Sequence, residues 1–196
     1  MIGVVAAVLV VSCAIALSRV NSRVEGTAIA PAAGIGEQRM AISIDLERVS
    51  SEADLIHEST VVAVGSSVGS PTAVPLADRE TFADYYLTVS ISAILRGPVD
   101  LPSAQIVWLG AAPGVPLPPG EDDLGPPETI IAPGGSYVLF LQPSATPGVF
   151  QVVGHGQGVL TLDAAGRVTH VEPSGFQSLV GLTLEQLRER INNTTS

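Results

Sequence analysis

Apolar and polar side chains alternate from Tyr85 to Leu95: Leu87, Val89, Ile91, Ala93 and Leu95 fall on one side, Thr88, Ser90 and Ser92 on the other. A period of two is that of a strand with one buried and one solvated face, and Arg96-Gly97-Pro98 stops it. Shorter runs carry related signals. Thr60 to Val68 (TVVAVGSSV) is rich in β-branched residues and leads into Gly and Pro, whereas Gln105 to Leu109 (QIVWL) and Tyr137 to Leu141 (YVLFL) read as short buried strands. Phe150 to Val153, Gly158 to Leu162 and Val168 to Val171 follow, the last two joined by the turn Asp163-Ala164-Ala165-Gly166. Two segments have helical spacing instead. In Asp45 to Ile56, Leu46, Val49, Ala53 and Ile56 share a face behind Asp45 as N-cap; in Thr183 to Ile191, Thr183 and Gln186 have capping-box spacing and Leu184, Leu187 and Ile191 align. About seven short strands with two small helices predict an all-β barrel or sandwich.

The first seventeen residues, MIGVVAAVLVVSCAIAL, break this pattern because they hold no charged side chain at all. Three readings compete. A single-span anchor needs roughly 17–25 apolar residues, and Met1 to Leu17 reaches the lower edge of that window. Val10-Val11-Ser12-Cys13 resembles a bacterial lipobox, which makes Cys13 a lipidation candidate, although Ala14-Ile15-Ala16-Leu17 continues the apolar run beyond it. A cleaved signal peptide would need a basic segment before the apolar run. The anchor is favoured. Arg19 and Arg23 directly after the run would be held cytoplasmic by the positive-inside rule, which opposes export. Residues 18–40 are small, Gly/Ala/Ser-rich and aperiodic, the composition of a flexible linker, so the folded domain is expected at 41–196.

Charge narrows the partners. Nineteen acidic residues against nine basic ones give a net charge of −10, which argues against a nucleic-acid surface. All nine basic residues are Arg, so Schiff-base, Walker A and Ser-Lys chemistries are excluded. The lone cysteine lies in the apolar run, which excludes an intrachain disulfide and a Cys-rich zinc site. A long loop, residues 111–135, separates QIVWL from YVLFL, and its prolines and acidic cluster read as a disordered segment or surface arm.

The candidate chemistry is sparse. His57, His155 and His170 lack any local pair such as HxH or HExxH, so no metal site and no cofactor is expected. The most site-like run is Gly154-His155-Gly156-Gln157-Gly158, where three glycines let the backbone turn sharply or let a partner approach; a plain hairpin corner would use them equally well. Glu121, Asp122 and Asp123 offer hard oxygen ligands without the spacing of a calcium loop. No GxSxG elbow is present, so no catalytic residue is assigned. Gly154, His155, Gly156, Gln157, Glu121, Asp122 and Asp123 are therefore the candidate binding residues.

The order of elements carries a resemblance. Ala53-Asp54-Leu55-Ile56 precedes the strand Val61 to Val68. Further on come Ile94-Leu95-Arg96-Gly97, QIVWLG, and Pro133-Gly134-Gly135-Ser136 leading into YVLFL. Over roughly residues 45–191 this is similar to exported bacterial domains that resemble the netrin-like, metalloproteinase-inhibitor type of OB fold. Arg96 stands where that pattern has Lys. The animal inhibitors of the type use an N-terminal cysteine on the protease zinc, and this domain has none, so no inhibitory residue carries over. The resemblance implies an OB-like barrel of five to seven strands, with a short N-terminal and a C-terminal helix, that binds rather than catalyses. The resulting expectation is an envelope-anchored, extracytoplasmic binding module with a protein partner in the cell envelope and contact with the membrane through residues 1–17. A small hydrolase or metal-dependent enzyme using His155, and a peptidase-inhibitor-like module, are the alternatives.

Overall fold

The computed structural model describes residues 48–77, 79–116, 125–127, 130–171 and 176–195, all within one compact unit, Met40–Ser196. The apolar run with Cys13, the linker and Glu121 to Asp123 lie outside the described residues. Among the described residues, no helix is long and apolar enough to cross a membrane.

The fold is mainly β. Helix α1 (Glu52–Glu58) opens it, followed by β1 (Val61–Leu76), β2 (Arg79–Arg96), β3 (Ser103–Ala111), β4 (Ser136–Pro143), β5 (Val149–Val152), β6 (Val159–Leu162) and β7 (Val168–Val171), and α2 (Leu184–Thr194) closes it. The first helix starts later than its periodicity predicts. Ser51, not Asp45, is its N-cap: the hydroxyl accepts from the Asp54 N–H, and Ser50 and Ser51 both donate to the Asp54 carboxylate. Those hydroxyls, led by Ser50, hold the Asp54 carboxyl below its usual range. Val49, expected inside the helix, instead lies before it, outside any regular element, and is buried in the core. At α2 the capping box forms as expected between Thr183 and Gln186.

Strand order in the sheet is β1-β2-β3-β5-β4-β6-β7, and β1 also pairs with β4. The pairings β1–β2–β3–β5–β4 therefore return to β1. All are antiparallel except β3 with β5, which run parallel. Beyond Gly65, β1 leaves β4 and continues with β2 as a long hairpin whose other edge carries Pro71 and Pro75. Proline has no N–H to offer, and so blunts an edge that would otherwise template another strand.

Two apolar cores lie on opposite faces of β1 and β4. Val61 and Ala63, with Tyr137, Leu139 and Leu141, join Leu87, Val89, Ile106 and Trp108 in one; Val62, Val64, Val138 and Phe140 join Leu55, Leu160, Leu187 and Ile191 in the other. Strict alternation in these strands is thus buried on both sides, which is why YVLFL is a continuous apolar run. The alternating stretch 87–95 does not stay on one face. Leu87, Val89 and Ile91 pack with the first core, whereas Ala93 and Leu95 pack with the second. The register shift between Val64 opposite Ala93 and Gly65 opposite Ile91 inserts Ser92, and one extra residue inverts the faces. The Ser92 hydroxyl donates to the Val64 carbonyl at 3.2 Å within this bulge.

Near its far end, the described residues of the long loop after β3 are anchored to the core. Ile131 is 1 % exposed in the first core, and the Trp108 indole N–H donates to the Gly125 carbonyl.

Candidate functional site

A cleft of about 340 Å³ crosses the outward face of β2, β3 and β5 and ends at the loop after β4. Alternation along β2 builds it: Ala83, Tyr85 and Leu87 are buried, so Asp84 and Tyr86 point outward. Register carries the row across the sheet. Tyr86 stands opposite Val107, Val107 opposite Gln151, and Gln151 opposite Gln142. Four side chains thus line up on four adjacent strands, each about 4.8 Å from the next. One step along, Asp84 stands opposite Leu109 on β3 and opposite Val74 on β1.

In this second row β5 has already ended, and the backbone turns. Gly154 (φ 63°) and His155 (φ 53°) both take left-handed conformations and lead into a one-turn 3₁₀ helix, His155–Gly158. His155 is the one residue other than glycine with positive φ among the described residues, a conformation that costs about 1–3 kcal/mol and persists only where surroundings enforce it. Two contacts enforce it. The imidazole Nε2 lies 2.9 Å from the Leu109 carbonyl, and the ring packs at a 52° tilt against Trp108, 3.9 Å between centroids. Alternate residues of β3 share hydrogen bonds with β2, in phase with the Ala112 N–H donating to the Thr81 carbonyl, so the Leu109 carbonyl faces the β5 side. His155 takes the place that a longer β5 would have filled.

The other half of the GHGQG run turns inward. Gly156 and Gln157 are buried, and the Gln157 carboxamide accepts from the Val49 N–H at 2.9 Å and donates to the Val49 carbonyl at 3.3 Å. This side chain stands in for a strand and ties the segment before α1 to the sheet. Gly158 is required by space, because a Cβ there would come within 2.4 Å of the Val153 carbonyl.

Of the residues singled out from sequence, Gly154 and His155 line the cleft, and Gly156 and Gln157 serve the core. Asp84, Tyr86, Gln142 and Gln151 were missed. The available signal was an aspartate in the middle of a strand, where that residue is depleted. Its environment is unusual: burial between apolar cross-strand partners pushes the Asp84 carboxyl above its ordinary value. Among the described residues, no hydrogen bond or ion pair reaches that carboxylate, and no Lys or Arg lines the cleft.

Chemically the arrangement suits holding a ligand. Asp84 and His155 approach β3 from opposite sides, and no hydrogen bond or ion pair joins them, so the carboxylate does not orient the imidazole. The Ser144 hydroxyl at the cleft end closes its own turn, donating to the Thr146 carbonyl at 3.2 Å and accepting from the Thr146 N–H at 3.1 Å. Among the described residues no three His, Cys, Asp or Glu side chains gather as a metal site. Comparison with protein-family models, with curated proteins and with solved structures finds no match, so the cleft is read from its own geometry.

Proposed function

We propose that the chain is an envelope-anchored, extracytoplasmic binding module: an OB-like barrel, held at the membrane by residues 1–17, that takes a partner in the cleft across β2, β3 and β5. The circuit of pairings from β1 through β2, β3, β5 and β4 back to β1, with its parallel β3–β5 pair, supports the barrel. The observation that carries the binding reading is the row Tyr86, Gln142 and Gln151 beside Asp84. These polar side chains line an outward sheet face, on strands whose inner faces are apolar core. Concave sites with a few convergent polar groups are where proteins bind ligands.

Photocrosslinking in cells tests it. A benzophenone side chain placed at Tyr86 or Gln142 of the full-length chain is expected to yield one dominant adduct. The same group at the exposed Glu189 on α2 is expected to yield none. Equal adducts from all three sites, or none from the cleft, would sink the reading.

A further inference from the structure

The cleft has a chemical bias, and this inference rests on its reading as a binding site. Asp84 is the one carboxylate among the described residues that line it, and no Lys or Arg lines it. On a sheet surface, the positions directly opposite a carboxylate are where an opposite charge or a hydroxyl would stabilise it. Here those positions hold Val74 and Leu109. The carboxylate is left partly buried with no hydrogen-bond partner among the described residues. Two residues along the same outward face stands Tyr86, about 7 Å away along the strand. A carboxylate beside an aromatic ring is the pair that recognises a planar or compact cation, one through charge-assisted hydrogen bonds and the other through its π face. Gln142 and Gln151 supply amide oxygens on the next strands. The chain's net charge of −10 adds a long-range field that draws cations in.

We infer that the cleft is a receptor for a guanidinium or ammonium group, gripped by Asp84 and Tyr86. The ligand is a basic side chain of a polypeptide or a free small amine; the cation is common to both. Binding removes the mismatch that the fold leaves at Asp84, because the incoming charge supplies the partner that Val74 and Leu109 do not. Specificity for charge is strong, since a neutral isostere would leave the carboxylate as it was. Affinity falls as salt rises, since part of the attraction is long-range.

The test is an NMR titration of the full-length chain in neutral detergent, with three probes. One is methylguanidinium, the second a short capped peptide with one central Arg, and the third the same peptide with citrulline, the uncharged isostere. The expected result is saturable shifts of the Asp84, Tyr86, Leu109 and Gln151 amides with both cations and none with citrulline. Asp84→Asn should weaken cation binding at least about tenfold while its spectrum stays dispersed, which separates lost recognition from lost folding. A peptide affinity well above that of methylguanidinium assigns a polypeptide source, and equal affinities assign a free amine; either supports the receptor. Citrulline binding as well as Arg, or absence of cleft shifts with either cation, overturns it. If cleft crosslinks persist in cells while the cations fail, the cleft binds something else and only the cation assignment falls.

Discussion

The Asp84 carboxyl sits between Val74 and Leu109 on the outward face of β2, and burial raises its pKa. The consequence for stability has a definite sign. A carboxyl whose folded value exceeds its unfolded value favours the fold when protonated. That contribution is complete below the ordinary carboxylate range and is lost as pH rises through it to the raised value. At neutral pH the ionised Asp84 is therefore expected to weaken the fold. Asp84→Asn is expected to raise the thermal midpoint near pH 7 and to leave it nearly unchanged near pH 3, measured by circular dichroism across that range. A lower midpoint for the variant at neutral pH would mean that the carboxylate has a stabilising partner. A charge retained where it weakens the fold is the trade that ligand sites make. Gln157 is the opposite case: its two hydrogen bonds to Val49 satisfy buried peptide groups that would otherwise cost about 1–3 kcal/mol each.

Among the elements, the β1–β2 hairpin decides the architecture, and Gly65 is its pivot. A Cβ at Gly65 would come within 2.6 Å of both the Ser90 carbonyl and the Val89 side chain, at the register shift that inserts Ser92. Gly65→Ala is expected to cost about 1–3 kcal/mol in urea unfolding, as overpacking does; an unchanged midpoint would show that the bulge relaxes freely. This pivot also marks what the sequence could reveal. The strands from Tyr85, Gln105, Tyr137 and Val168 were legible because apolar runs and alternation reflect burial directly. The bulge was not. Ser92 alternates correctly with its neighbours, and only the pairing of β1 with β2 shows that it flips the faces. The late start of α1 escaped for a related reason: Val49 keeps helical spacing with Ile56 but meets the Gln157 side chain, 108 residues away.

At the scale of the whole molecule, β1 and β4 are shared walls, with alternate residues entering opposite cores. The two cores are therefore expected to unfold together. Leu187 of α2 is fully buried in the second core, and Leu187→Ala is expected to destabilise the domain by about 2–5 kcal/mol. Hydrogen exchange should then show the same loss of protection at Leu87 and Ile106 in the first core as at Leu160 in the second. Undiminished protection of Leu87 and Ile106 would reveal two independent units. The cleft belongs to this scale too, which explains why it was only half visible beforehand. His155 and Gly154 announced themselves as a glycine-flanked histidine, whereas Tyr86, Gln142 and Gln151 become neighbours only through three strand pairings. Trp108 is the only tryptophan in the chain, it rests against His155, and both residues border the cleft. The molecule thus carries its own optical gauge: a single indole, buried behind the cleft beside His155, whose emission is expected to shift in colour and brightness when a ligand occupies the cleft, without any label.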